Sequence, residues 1–215
     1  MQERHREIAR IALSVGGQYG LALAGGYAVE AHGMGTRPSG DVDLFLDWGR
    51  RGDFDAMVSA VTGALETAGM KVGVVARAET FARLLVAPQA GADEPEKVEL
   101  AADWRSRDPV MLGIGPVLHA DDAVANKMTA LYGRALARDF LDVDAILASG
   151  RYDRERLLEL AASADAGFDL EMFAEALGAL PQITDAAFAE YGIRPEQVGA
   201  LRRRFAAWRS QLLAR

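Results

Sequence analysis

The sequence has no cysteine, so neither a disulfide framework nor a thiolate metal site holds this chain together. Aromatic residues are scarce, at 7%, while Ala and Leu are plentiful, a composition that favours helices. No apolar run approaches the roughly 20 residues that cross a bilayer. The charged opening Met1-Gln2-Glu3-Arg4-His5-Arg6 lacks the apolar core of a signal peptide. A soluble cytoplasmic protein with no membrane partner is expected. Positive charge is not in excess either: 24 Lys and Arg against 31 Asp and Glu leave a net charge of −7. That argues against a protein that coats nucleic acid with a basic surface, but it leaves room for a nucleic-acid substrate held at a local basic patch. The 215 residues, half of them hydrophobic, suffice for one compact unit or two small subdomains sharing a core.

The most informative stretch runs from Leu21 to Trp48, LALAGGYAVEAHGMGTRPSGDVDLFLDW. Its apolar start ends at Gly25-Gly26, a short helix is expected over Tyr27–His32, and a polar turn from Gly35 to Gly40 leads into a strand over Val42–Leu46. Asp41 and Asp43 stand two residues apart at that strand's start, and a period of two points both carboxylates to one face. Two like charges held so close call for a counter-ion, and a hard divalent cation such as magnesium is the usual one. Glycines between a strand and a helix let backbone approach a phosphate, and the free amides of a helix N-terminus attract the anion. Gly-Gly, a helix and then Asp-x-Asp together place phosphate-binding amides beside a dicarboxylate, as nucleotidyl transfer requires.

Elsewhere, helical spacing marks residues 4–16, and Asp53 reads as the N-cap of a helix with Phe54, Met57, Val58, Val61 and Leu65 inward and Gly69 as its stop. Strands are predicted over Tyr19–Ala24, Met70–Ala76, Thr80–Ala87 and Lys97–Ala101, with an exposed turn over Pro88–Pro95. This order predicts an α+β fold, a small mixed sheet with helices on one side. From Asp121 the periodicity is helical. Val124, Met128, Leu131 and Ala135 form one stripe, Phe140, Val143 and Leu147 a second, and Leu170, Phe173, Leu177 and Leu180 a later one. The last helix has Leu201, Phe205, Trp208 and Leu212 inward and Arg202, Arg203, Arg204 and Arg209 outward. A core over 1–118 and a C-terminal helical bundle over 119–215 are expected.

The segment GGYAVEAHGMGTRPSGDVDLF resembles the AbiEii/AbiGii group of nucleotidyltransferase toxins, which includes the mycobacterial MenT toxins, within the DNA polymerase β-like nucleotidyltransferase superfamily. Lys127-Met128-Thr129-Ala130-Leu131, Arg134 and Arg138-Asp139-Phe140-Leu141-Asp142-Val143 are similar to that group's later motifs. The resemblance spans roughly residues 20–147. It implies that Gly25, Gly26 and Ser39 contact nucleotide phosphates, that Asp41 and Asp43 hold Mg2+ (or Mn2+), and that Lys127 neutralises the triphosphate of an NTP co-substrate. It further implies that Asp139 or Asp142 completes the site across the two halves, and that a third acid on a later strand joins Asp41 and Asp43 at the metal; Glu99 is the candidate, with Asp103, of the same parity, as the alternative.

Taken without the resemblance, the later residues have plainer readings. Lys127 flanks an apolar stripe and fits equally a lysine at a core edge or a positive charge along the seam between the two halves, facing phosphates. Asp139 and Asp142 lie three apart on one helical face and fit capping and dipole compensation. Ser39 fits a turn hydroxyl, His32 a locally bonded ring, Arg37 a partner for phosphate or nearby acids, and Arg202–Arg204 a solvated face.

The resemblance implies a toxin-type enzyme that moves a nucleoside monophosphate from an NTP to an acceptor, the 3′ end of tRNA, releasing pyrophosphate, with a cognate antitoxin as partner. The alternative is a small-molecule modifier similar to the aminoglycoside and lincosamide nucleotidyltransferases, whose pattern Thr36-Arg37-Pro38 fits. Those tend to carry His two residues before the first Asp, where this chain has Ser39. A non-catalytic nucleotide-binding module is a third reading, against which the intact Asp41 and Asp43 count.

Overall fold

The computed structural model describes residues 1–35, 37–89 and 94–214. Thr36 of the expected Gly35–Gly40 turn and residues 90–93 of the expected Pro88–Pro95 turn lie outside them. The chain divides into two compact units, Met1–His32 with Pro38–Ala123, and Gly33–Arg37 with Val124–Arg215.

The first unit is built on helix α1 (Glu3–Gly16), strand β1 (Ala22–Leu23), helix α2 (Gly25–Ala31), strand β2 (Asp41–Asp47), helix α3 (Phe54–Thr67) and strands β3 (Met70–Ala78), β4 (Phe81–Pro88), β5 (Glu96–Asp103), β6 (Val110–Leu112) and β7 (Gly115–Val117). Among the described residues these strands form one mixed sheet in the order β3-β4-β5-β2-β1-β7-β6. β2 runs parallel to β5 and β1 parallel to β7, and the other pairs are antiparallel. The α+β expectation holds. In β2 the apolar residues Val42, Leu44 and Leu46 are wholly buried, as are Leu84 and Val86 of β4 and Val98 and Leu100 of β5. α1 packs on β2, and α3 on α1 and β3, closing this face. Each such side chain is worth about 1.5–3 kcal/mol. Strand alternation therefore puts Asp41, Asp43, Phe45 and Asp47 on the opposite, half-buried face.

Three local expectations change. The strand predicted over Tyr19–Ala24 shrinks to Ala22–Leu23, because a 3-10 turn over Gly17–Tyr19 ends at Gly20 in the left-handed region, φ 88°. Asp53 does sit at the N-cap of α3, yet it makes no capping bond; its carboxylate accepts from Arg50 instead. The β6–β7 hairpin is additional to the expected strands.

The second unit is helical: the remainder of α4 (Ala120–Arg134), α5 (Ala137–Ala148), α6 (Arg154–Ala164), α7 (Leu170–Gly178), α8 (Asp185–Ala189) and α9 (Pro195–Leu213). Its core is an aromatic cluster in which Phe140 meets Phe205 edge-on, and Phe173 and Phe205 meet Trp208. Phe173, Leu177 and Leu180 are buried as the helical stripe predicts, but Leu170 at the start of α7 is exposed. Ala135 does not extend the α4 stripe: it follows the helix with φ 47° and breaks the period.

Candidate active site

In the first unit α2 determines where the two acids sit. Its first residue, Gly25, has φ 58°, and a Cβ added there would lie 1.8 Å from Asp43 Oδ2. Only glycine both adopts this conformation and leaves room for the carboxylate. The backbone repeats the link, since the Ala24 N–H donates to the Asp43 carbonyl at 2.8 Å. The Gly-Gly turn and the Asp-x-Asp strand are thus one local construction. Gly26 follows within the first turn of α2.

Ser39 is buried, and its Oγ donates to Asp41 Oδ1 at 3.2 Å. On the other side of that carboxylate, Lys97 Nζ lies 2.7 Å from Asp41 Oδ2. The parallel register explains why: Lys97 stands opposite Asp41 and Glu99 opposite Asp43. The bond to Asp41 raises the Lys97 pKa above the ordinary lysine value, outweighing partial burial. Positive charge is thus favoured at Asp41.

Glu99 accepts from Arg83 Nε at 3.0 Å, and its Oε1 also lies 3.7 Å from Lys97 Nζ. Its backbone is beside Asp43, as a third acid requires, yet its carboxylate is held by two cations. Asp103 stands opposite Asp47 at the far end of the strands. Among the described residues no group of three or more His, Cys, Asp or Glu side chains is gathered to hold a metal ion. Two carboxylates on one strand face fit Mg2+ in the form it commonly takes with nucleotides, where phosphates and water complete the shell. His32 bonds the Leu118 carbonyl through Nε2 at 2.8 Å.

The second unit holds the remaining expected residues. Asp142 accepts Arg37 Nε at 2.8 Å and Nη2 at 3.1 Å, and its Oδ2 lies 2.8 Å from Lys127 Nζ. All three side chains are largely buried. Burial pushes the Asp142 carboxyl up, but Lys127 and Arg37 together outweigh it and hold its pKa below the usual carboxylate range. Arg37 also lies over the Tyr191 ring, 5.1 Å from its centroid. Asp139 is fully buried; it accepts from Arg134 Nη2 at 2.8 Å and reaches back to the Leu136 N–H at 3.0 Å, securing the start of α5. The structure therefore brings together Gly25 with Asp43, Ser39 with Asp41, and Lys127 with Asp142, while Asp139 serves α5.

Lys97 and Arg83 are the site-side cations that sequence reasoning missed. Lys97 shares the face parity of Glu99, but only strand pairing puts it against Asp41.

A family model, the nucleotidyl transferase AbiEii toxin of type IV toxin–antitoxin systems, matches residues 10–212. The chain belongs to this AbiEii family. No curated protein matches it in sequence. Among solved structures, this AbiEii chain is similar to a candidate nucleotidyltransferase of Helicobacter pylori, with 16% identity, a TM-score of 0.59, and 100% of this chain and 98% of the other covered. It is also similar to MenT4, a nucleotidyltransferase toxin of Mycobacterium tuberculosis, with 18% identity, a TM-score of 0.50, and 82% and 65% covered. The antibiotic-resistance factor ANT(2″)-Ia follows with 13% identity, a TM-score of 0.52, and 76% and 92% covered. At such identities these likenesses establish the fold. Among the described residues no helix is long and apolar enough to cross a membrane.

Proposed function

We propose that this AbiEii nucleotidyltransferase moves a nucleoside monophosphate from an NTP onto the 3′ end of tRNA and releases pyrophosphate. The observation that carries the reading is the fit of the Asp43 carboxylate against the Cβ-less face of Gly25, with Asp41 two residues before it on the same face. It joins a helix N-terminus suited to phosphate with a dicarboxylate suited to a divalent cation.

In this reaction a 3′-hydroxyl oxygen bonds to the α-phosphorus, the bond from that phosphorus to the bridging oxygen breaks, and the hydroxyl proton leaves to solvent or a nearby base. Asp41 and Asp43 hold Mg2+, with Mn2+ as substitute, which supplies neutralising charge for the phosphates. The Gly25 and Gly26 amides and the Ser39 hydroxyl orient the phosphates, and Glu99 balances Arg83 and Lys97 beside the acids. The resemblance gives Lys127 the role of neutralising the triphosphate; Asp142 and Arg37 fix its ammonium, and Asp139 keeps α5 in place. A cognate antitoxin is the expected partner.

Labelled NTPs and magnesium, offered with total tRNA in one reaction and with aminoglycosides or lincosamides in another, test the reading. Label on tRNA supports it, and label on the drug alone overturns it. Asp41→Ala abolishes transfer; full activity in that variant rules out the metal assignment.

A further inference from the structure

A buried polar chain links α1 to the segment that carries Ser39 and Asp41, and nothing in the proposed reaction yet uses it. His5 on α1 is 1% exposed. Its Nε2 lies 2.8 Å from Glu96 Oε2 and its Nδ1 2.6 Å from the Tyr27 hydroxyl. The carboxylate only accepts, so the Nε2 proton points to Glu96. The single Tyr27 O–H is shared between His5 Nδ1 and the Ser39 carbonyl, 3.3 Å away, and the Gln2 side chain approaches the same carbonyl oxygen at 3.5 Å. Arg4 holds the far end of the chain through Glu96 Oε1.

This chain has three notable properties. It spans α1, α2 and β5, the elements around the acidic pair. It ends on the carbonyl of the residue whose own hydroxyl bonds Asp41. Its Tyr27 phenol is pushed above the usual tyrosine value, by burial first and then by the charges of Glu30, Glu96 and Asp41 against an opposing Gln2 backbone bond, so it stays a hydrogen-bond donor. Tyr27 also sits in the same first turn of α2 as Gly25. One helical turn therefore fixes Asp43 by close approach and the Ser39–Asp41 segment by a hydrogen bond.

We propose that Tyr27 and His5 are positioning residues, which clamp the Ser39 carbonyl through the buried chain from Glu96 and so set Ser39 and Asp41 for the nucleotide. This rests on the reading of Ser39 and Asp41 as nucleotide and metal contacts. A purely structural role, tying α1 to the sheet, would lower stability without distinguishing Ser39 from any other residue.

Tyr27→Phe keeps the ring and removes only the hydroxyl, and His5→Gln tests the next link. The first readout is hydrogen exchange of the free protein at 25 °C. The Ser39, Gly40 and Asp41 amides exchange at least about tenfold faster in both variants while the α3 amides do not. Unchanged exchange at 39–41 overturns the proposal. The second readout is kcat/KM for NTP at a temperature where every variant is folded. Tyr27→Phe lowers it about tenfold in the wild-type background and by a clearly smaller factor in Ser39→Ala, where the share of the effect that passes through the Ser39 hydroxyl is already lost and only the share on the backbone before Asp41 remains. An equal fall in both backgrounds overturns the proposal. A wild-type protein that transfers nothing counts against the proposed function alone, and exchange still decides the clamp.

Discussion

Gly25 and Asp43 are far apart in the chain and share one small volume. An alanine at position 25 meets two penalties. Its φ of 58° costs an L-residue about 1–2 kcal/mol, and its Cβ collides with Asp43 Oδ2. The carboxylate must move by more than an ångström, and displacement on that scale at a reacting centre costs about 100-fold. Gly25→Ala therefore loses about 100-fold or more in nucleotidyl transfer and lowers Tm by about 2–8 °C. Adding Asp43→Ala removes the two nearest clashing atoms and leaves only the Cβ of residue 43 at 2.8 Å, so the double variant recovers part of the Tm and none of the activity. Recovery of activity would separate the glycine from the acid. At this scale the sequence was informative. Gly-Gly and Asp-x-Asp were visible as a pair, but the atomic reason for their pairing was not, because it lies in a contact between a side chain and a missing Cβ. Lys97 was equally hidden: strand parity gives its face, and only the parallel pairing with β2 sets it against Asp41.

Elements with strong periodicity were legible. α1, α3 and the last helix are where apolar spacing places them, and β2, β4 and β5 follow alternation. The short pieces were not. β6 and β7 have three residues each, with Gly113, Gly115 and Pro116 between or within them, too few for a period to form. The α5 motif was legible as a pattern and divides in the structure. Asp139 holds its own helix start, whereas Asp142 joins α5 to Lys127 of α4 and to Arg37 of the Gly33–Arg37 segment. Removing one partner from a buried ion group leaves the others uncompensated, at about 3–5 kcal/mol. Asp142→Ala destabilises the protein by about that amount at pH 7, read from urea unfolding. The sign with pH follows from the depressed carboxyl. The native pKa lies below the unfolded value of about 3.9, so the stabilisation is complete above the unfolded value. It disappears as pH falls through the native one. The gap between wild type and Asp142→Ala is therefore constant from pH 7 to about 5 and narrows steadily below about pH 4. A gap that stays constant down to pH 2 would show that Asp142 acts by packing rather than by charge.

The molecule as a whole carries a net charge of −7, yet its proposed acceptor is a polyanion. Many of its cations are already committed. Arg83, Arg105 and Arg107 of the first unit pair with Glu99, Asp47 and Asp121, and Arg37, Arg134 and Arg204 of the second pair with Asp142, Asp139 and Asp144. A committed guanidinium releases few counterions when a phosphate approaches, because its charge is already balanced. Recognition of an RNA end must then rest on few phosphate contacts, with base and ribose contacts supplying the remainder. For single strands the logarithm of affinity falls with the logarithm of salt at about −0.7 per phosphate neutralised. About three contacts give a slope near −2, so binding weakens about 16-fold between 50 and 200 mM salt, far less than the about 10³–10⁵-fold loss of a protein that grips six to ten phosphates. The salt dependence of KM for tRNA, measured at saturating NTP and fixed magnesium, reads this slope directly. A slope steeper than about −5 would mean that the paired arginines open to take phosphate, and would replace a mode of recognition by the RNA end with one by the backbone.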